Sequence, residues 1–507
     1  MSNRPPDDLD PHTFSPPHDV DDPIKAPRIA KLAALKAAGV DPYPYRFDRT
    51  AIATDLHTTY AELPDDTVTD DTVAVAGRVR AMRNSGMFID LHDHSGKIQV
   101  FSHKDNLDAD QLHRLKQVDI GDWIGIEGLV RRTRRGELSI NTTRLHILSK
   151  SLLPLPEKYH GLNDTEARYR QRYLDLIMNE DSRETLRRRS RIISTIRSTL
   201  TEKGFLEVET PTLHPILGGA SARPFTTHHN TLDMDLYLRI APELYLKRLI
   251  VGGLWEGVFE IGRNFRNEGI SPRHNPEFTM MECYKALCDV DDVMGWVEAI
   301  VSAAARAATG GTTVAFGDVS LDLGGPFPRK PMTTLIAEAS GVDFLAIETA
   351  EAAQQAAQGL GAAVTGAEKW GESVELAFEV TAEAGLIQPT HVTNLPFDIS
   401  PLAKRHKTDP RLTERFETFV NGWEIANGFS ELTDPQDQYD RFMEQVAARA
   451  AGNPEAAMMD RDYVTALEYG LPPTGGLGVG IDRLVMLLTD SQSIRDVIAF
   501  PTLRPRQ

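Results

Sequence analysis

Between residues 72 and 150 apolar side chains recur at every second position, a period that confines this stretch to half-buried β-strands. Five runs carry it: TVAVAGRVRA, MFIDLHD, KIQVF, WIGIEGLVRR and LSINTTRLHIL, separated by NSG, HSG, a helical stretch near 107–117, and RRG. Val73, Val75 and Val79 alternate with Arg78 and Arg80, Met87, Ile89 and Leu91 with Phe88, and Ile98 and Val100 with Gln99. If the apolar set turns inward, Arg78, Phe88 and Gln99 point outward from three neighbouring strands. Five short strands with a helix after the third predict a small Greek-key barrel of the OB type, an architecture often used for oligonucleotides. A Phe between an Arg and a Gln is either an isolated surface aromatic or a base-stacking platform with hydrogen-bonding neighbours. The pattern alone favours neither.

Around this barrel the pattern changes. Residues 27–40 (PRIAKLAALKAAGV) read as a short amphipathic helix closed by Gly39 and a Pro-Tyr-Pro stop. SLLPLPEKYH (151–160) is a Pro-punctuated linker, and 183–203 is a helix with Arg187, Arg188, Arg189 and Arg191 close together, read as a solvated or interface face. From about 205 onward strands and helices alternate irregularly, which predicts an α+β domain rather than βαβ repeats. The expected division is an acidic disordered tail 1–24, an N-terminal helical segment 25–70, the barrel 71–150, a linker 151–182 and the large domain 183–507. No GxxxxGK[ST] loop occurs, and GGLGVGIDR (475–483) lacks the GxGxxG spacing, so a nucleotide site must be built another way.

Composition excludes a few classes. No run of about 18 uncharged apolar residues is present, so no membrane span is expected. Residues 1–24 are rich in Pro and Asp, with Arg4 the only Lys or Arg. Neither a secretory signal nor a transit peptide has that make-up, and a cytoplasmic protein is expected. Cys283 and Cys288, five apart, match no zinc or disulfide framework and read as reduced core thiols. The net charge of −18 argues little about nucleic acid, because binding follows local potential.

Three separated clusters carry the chemistry: GFLEVETPTL (204–213), FEIGRNFRNEGISPRHNPEFTMMECY (259–284) and GLGVGIDRLVML (477–488). They resemble motifs 1, 2 and 3 of the class II aminoacyl-tRNA synthetases. YRQRYLDLI (169–177), ARPFTTHHN (222–230), RIAPELYLKRL (239–249) and NGFSELTDP (427–435) are similar to the lysyl-specific branch, over roughly residues 27 to 505. The resemblance implies an antiparallel catalytic sheet flanked by helices behind an anticodon-binding barrel. It also implies a homodimer using ATP, L-lysine, Mg²⁺ and tRNA(Lys), with motif 1 and its preceding helix at the dimer face.

Residue by residue, the resemblance puts ATP on Arg266, Glu268, His274, Phe278 and Arg483. Arg266 would fork onto the α-phosphate and the lysine carboxylate as one attacks the other, with Arg483 opposite. Phe278 would lie against adenine and Glu268 would accept from its amino group. Glu417 and Glu424 correspond to the metal carboxylates. Seven residues would also be two helical turns, but TFVNGWEIANGFS (418–430) reads as strand–turn–strand, on which two acids can converge. Glu243 and Glu431 would bind the lysine ε-ammonium, Tyr284 would assist, and Phe429 would cover the methylenes. Gly219, Glu282 and Asn427 would take the backbone end. In the barrel, Arg78, Phe88, Gln99 and Glu137 would read the uridine-rich anticodon.

Three stretches depart from the family pattern. GGLWEGVFEIG (252–262) is one residue longer, with Gly257 in place of an Arg, so a bulge or shifted register is expected there. RAMRNSGMFIDL (80–91) is about two residues shorter, and His391 and Leu395 stand where aromatics are expected. Aspartyl- and asparaginyl-specific siblings share the barrel and motifs, but two anions suit a cationic side chain. The related ligase that modifies elongation factor P lacks the barrel. A catalytically dead RNA-binding paralogue would usually have lost one of Arg266, Arg483, Glu417 and Glu424, and all four are present.

Overall fold

The computed structural model describes residues 19–156, 164–453 and 455–505, so most of the expected acidic tail lies outside the described residues. The chain forms two compact units, the second running from Asp164 to Arg504 and the first preceding it.

In the first unit the helix α1 (Ala26–Ala37) buries Leu32 and Leu35, and the chain leaves it through Gly39 at φ +73°. Five strands follow: β1 (Thr67–Arg83), β2 (Phe88–His92), β3 (Lys97–Phe101), β4 (Trp123–Arg132) and β5 (Leu138–Ser149). They close into a barrel in the order β1-β2-β3-β5-β4, with α2 (Ala109–Gln117) between β3 and β4. Val75, Val79, Ile89, Leu91, Ile98 and Val100 fill its core. The short β1–β2 connection is a 3₁₀ turn in which Asn84, Ser85 and Gly86 all take positive φ.

The second unit is built on an eight-stranded sheet. Its strands are β6 (Leu206–Glu207), β7 (Gly257–Phe265), β8 (Glu277–Ala286), β9 (Arg329–Pro331), β10 (Thr390–Thr393), β11 (Arg415–Val420), β12 (Trp423–Ser430) and β13 (Thr474–Gly480). Their order is β9-β10-β11-β12-β13-β8-β7-β6, antiparallel except for the β9–β10 and β6–β7 pairs. Each sheet face has its own use. On β8, Met281 and Cys283 join a core with α3 (Glu180–Glu202) and α5 (Val290–Thr309), while Glu282 and Tyr284 face a cavity. On β13, Leu477 and Val479 enter the same core, and Gly476, Gly478 and Gly480 line the cavity without side chains. The helix α4 (Glu243–Val251) borders that cavity, and α5 is held by an Asp289–Asp292 capping box and closed by Gly310 at φ +86°.

Several expectations need correcting. Residues 165–178 are not linker but two short helices, with Arg172 fully buried and bonded to Asp175 and to the carbonyls of Arg495 and Ala499. The motif 1 strand is only Leu206–Glu207, parallel to β7. No bulge occurs at Gly257, because β7 pairs with β8 without interruption from Gly257↔Lys285 to Phe265↔Glu277. The strand is preceded by a turn at 252–256, where Gly253 takes φ +67°. His391 does fill an aromatic's place, buried between Phe327 and Phe416. Its Nδ1 lies 2.8 Å from Thr418 Oγ1, and burial pushes it down to about 4. Among the described residues no helix is long and apolar enough to cross a membrane.

Candidate active site

One cavity of about 750 Å³ collects residues from motifs 2 and 3. One end is framed by Arg266, at the start of the β7–β8 loop, and Arg483, in α7 (Ile481–Leu488) directly after the Gly-rich strand. The Arg266 guanidinium stacks over Phe278, 5.1 Å from the ring centroid, so those two expected ATP residues touch each other. Arg483 Nη2 donates to His274 Nε2 at 3.0 Å, leaving Nδ1–H to donate to Ser271 Oγ at 2.8 Å. Burial and then Arg483 lower His274, which keeps it neutral and able to accept. Glu268 lies on the exposed part of the same loop and lines the cavity.

The two expected metal carboxylates do sit on a strand–turn–strand unit, β11 and β12, joined by Asn421 and Gly422 at φ 54° and 66°. Glu417 accepts from Arg415 Nη2 at 2.7 Å, and Glu424 lies 3.4 Å from Arg483 Nη1. Burial pushes Glu417 up to about 8, with Glu424 adding like-charge repulsion against Arg415. Among the described residues no cluster of three or more His, Cys, Asp or Glu is arranged for a metal ion.

Six of the residues expected to bind lysine, Gly219, Glu243, Glu282, Tyr284, Asn427 and Phe429, lie on the cavity walls. Gly219 has φ +88°, and a Cβ there would come within 3.3 Å of Ala241. Tyr284 donates its hydroxyl to Glu282 at 2.9 Å. Burial, with Glu243 nearby, pushes Glu282 up to about 8. Asn427 accepts from Arg415 Nε at 3.0 Å. Glu431 stands behind this wall, fully buried, and Lys247 on α4 pairs with both Glu431 and Glu243, the latter at 2.5 Å. The expectation left these two acids without a cation of the chain's own, and the structure supplies one. Gly476 makes room for the arrangement, because a Cβ there would fall 1.9 Å from Glu431 Oε1.

In the barrel the expected quartet divides. Phe88 packs 5.2 Å from Phe101 at one end of β3, Gln99 accepts from Ser139 at 2.9 Å in its middle, and Glu137 pairs with Lys97 at 2.9 Å at the other end, level with His92. Arg78 pairs across with His92 rather than Phe88, about 13 Å along β2 at about 3.3 Å per residue. It donates to the Gly121 carbonyl at 2.8 Å and lies over Trp123. Gln99 is turned from the core as expected but is covered, at 9 % exposure.

Residues 164–504 match the model for class II tRNA synthetases (D, K and N), and residues 73–148 match that of the OB-fold nucleic acid binding domain. The chain is 55 % identical over 477 residues to the lysine–tRNA ligase of Sinorhizobium medicae, covering 94 % of this chain and 96 % of that one. It is 53 % identical over 481 residues to that of Carboxydothermus hydrogenoformans, covering 94 % and 97 %. The chain belongs to the class II lysine–tRNA ligases.

For a lysine–tRNA ligase, the residues that sequence reasoning missed are mostly counter-ions. Asp482 accepts from Arg189 at 2.5 Å and from the Thr279 amide at 2.6 Å, tying α3, the second motif 2 strand and the motif 3 helix to one carboxylate. Arg239 donates to Glu260 at 2.5 Å, and Glu260 in turn accepts from Thr210 of motif 1 at 2.7 Å. The other arginines of the α3 run pair with Glu180 and Glu184 on their own helix. Lys247 was legible as the i+4 partner of Glu243 in APELYLK. Phe101, two residues beyond Gln99 and hence on the same face, was legible by parity, and Arg131 stacks on it at 4.6 Å.

Proposed function

We propose that the protein activates L-lysine with ATP to lysyl-adenylate, releasing pyrophosphate, and transfers the lysyl group to the 3′ end of tRNA(Lys), releasing AMP. The observation that carries this reading is a single cavity with two arginines at one end and a set of buried carboxylates at the other. Arg266 and Arg483 bind the triphosphate, with Arg266 stabilising charge as the lysine carboxylate attacks the α-phosphorus. Phe278 and Glu268 hold adenine, and His274 orients Arg483. Glu243 and Glu431 select the ε-ammonium, Phe429 and Tyr284 enclose the side chain, and Gly219, Glu282 and Asn427 take the α-amino end.

Glu417 and Glu424 suit Mg²⁺. They are hard oxygen donors on one cavity wall, and their mutual repulsion is what a divalent cation relieves. When bound, the ion neutralises phosphate charge. Residues 71–150 form the anticodon module, with Phe88 as the stacking ring and Gln99, Glu137 and Arg78 as polar readers, while 183–507 carry the chemistry. The active form is a homodimer in the cytoplasm. Leu206, Leu254 and Trp255 stay 38 %, 48 % and 55 % exposed in one protomer, beside motif 1, and Trp255 is fastened to the Gly204 carbonyl at 3.0 Å.

ATP–pyrophosphate exchange across the twenty amino acids tests the reading. Exchange with lysine alone is expected, and exchange with aspartate or asparagine instead would overturn it. Light scattering showing a stable, active monomer at micromolar concentration would overturn the dimer.

A further inference from the structure

Behind the amino-acid pocket lies an ammonium that the reaction as proposed does not use. Lys247 is fully buried on α4, 2.5 Å from Glu243 Oε1 and paired with Glu431. Three rings enclose its Nζ: Phe429 at 5.4 Å, Tyr284 at 5.8 Å and Tyr463 at 5.9 Å. Neither oxygen of Glu431 has a well-aligned hydrogen bond, so this ion pair is its compensation. Glu243 and Glu282 border the cavity, whereas Glu431 and Lys247 sit behind them.

We propose that Lys247 is a positioning residue for lysine selection: a resident ammonium that holds the Glu243 and Glu431 carboxyl groups together and opposes their protonation, ready to share an incoming ε-ammonium. The proposal rests on the lysine reading of this pocket.

Three carboxylates this close, out of water, would normally take up protons. A protonated carboxyl turns a donor toward the substrate, and an ammonium has only donors to offer. Burial, with Glu243 and Glu282 adding to it, holds Glu431 above its ordinary range even though Lys247 pulls it down. Burial alone would lower Lys247, but Glu243 and Glu431 more than reverse this and hold it well above its ordinary value. The groups facing the pair are Glu243 from α4, Glu282 and Tyr284 from β8, and Tyr463 from α6 (Arg461–Glu468), with Arg239 and Arg266 acting on Glu282. With Lys247 the cluster keeps a surplus of acid over base, which is the vacancy a diamino acid fills. Without it, the cluster neutralises itself with protons.

The test is lysine and ATP binding by calorimetry on the full chain, parent against Lys247→Met, from about pH 6.5 to 9. At pH 7 the variant is expected to lose about a hundredfold or more in lysine affinity. ATP affinity should stay within about twofold. The lysine deficit should shrink by about tenfold per pH unit as the extra proton leaves. Unchanged or tighter lysine binding would overturn the proposal, the latter because Lys247 would then occupy the substrate's place. A deficit that is the same at every pH would make Lys247 a packing residue only. If Lys247→Met does not fold, Lys247→Met combined with Glu431→Gln removes both charges together. That double variant should bind lysine weakly with a pH dependence no steeper than the parent's, and near-parent affinity would overturn the proposal. If the parent itself binds no lysine, the lysine reading fails instead.

Discussion

Phe88 in the barrel and Glu431 in the catalytic unit are both assigned to hold a ligand, yet they stand in opposite surroundings. Phe88 is only partly covered, on a short strand whose neighbours in sequence are its neighbours in space. Glu431 has 1 % exposure, and its partners come from helices and strands far away in the chain. On the proposed reading the barrel offers a surface, so its cost is paid when the ligand arrives. The catalytic pocket has its charges desolvated already and needs internal counter-ions to hold them. Loss of one residue should therefore be mild and local in the first and severe in the second.

The sharpest test of that contrast is Glu431→Gln, which leaves Lys247 without one of its two anions. Breaking a buried pair costs about 3–5 kcal/mol, about two to four powers of ten in lysine affinity. Calorimetry should show this loss with ATP binding nearly unchanged, and parent-like lysine binding would erase the distinction between the two regions. Next in size is Asp482→Asn, which removes the charge holding Arg189. Chemical denaturation of the catalytic unit should register a loss of about 3 kcal/mol, with the barrel's own transition unmoved. Phe88→Ala should cost about 1–3 kcal/mol of tRNA affinity and leave pyrophosphate exchange intact. If exchange falls equally, Phe88 is structural.

A smaller effect is expected from pH. Glu282, near 8 in the free protein, is protonated at pH 7. The lysine α-ammonium favours its carboxylate, so binding should release up to one proton. Affinity should then rise with pH, by at most about tenfold per unit, until Glu282 is ionised on its own. Calorimetry in buffers of different ionisation heat measures that proton directly. Smallest of all, removing residues 1–24 should leave both half-reactions unchanged, because this acidic stretch has the same sign as tRNA. A clear loss of charging activity would contradict that.

Barrel strands were legible because a period of two runs through the first three of them, from Val75 and Val79 to Ile98 and Val100. Facing was legible too, but adjacency was not. The register shift between Val79 and Ala81 and the pairing of Arg78 with His92 decide which outward residues meet, and neither leaves a mark in the residue pattern. Covering by Ser139 likewise depends on how the barrel closes around Gln99. In the catalytic unit the motif residues could be named, since Arg266, Glu417 and Arg483 each carry recognisable chemistry. Their supports could not, because Asp482 with Arg189 and Arg239 with Glu260 are pairings between distant segments. Residues 165–178 were misread since two helices of six and seven residues show too few turns for a period of 3.6.

The Lys247–Glu431 pair also bears on how such a pocket can change over generations. A substitution at Glu431 alone strands an ammonium in the core, and one at Lys247 alone leaves two acids facing each other unbalanced. Gly476 closes another path, because any side chain there meets Glu431. Drift toward a different amino acid must therefore pass through at least two coupled replacements, the first of which is deleterious by itself. For a lineage that needs charged tRNA in every cell cycle, that intermediate is a valley, and the identity of the substrate is held by the difficulty of leaving it.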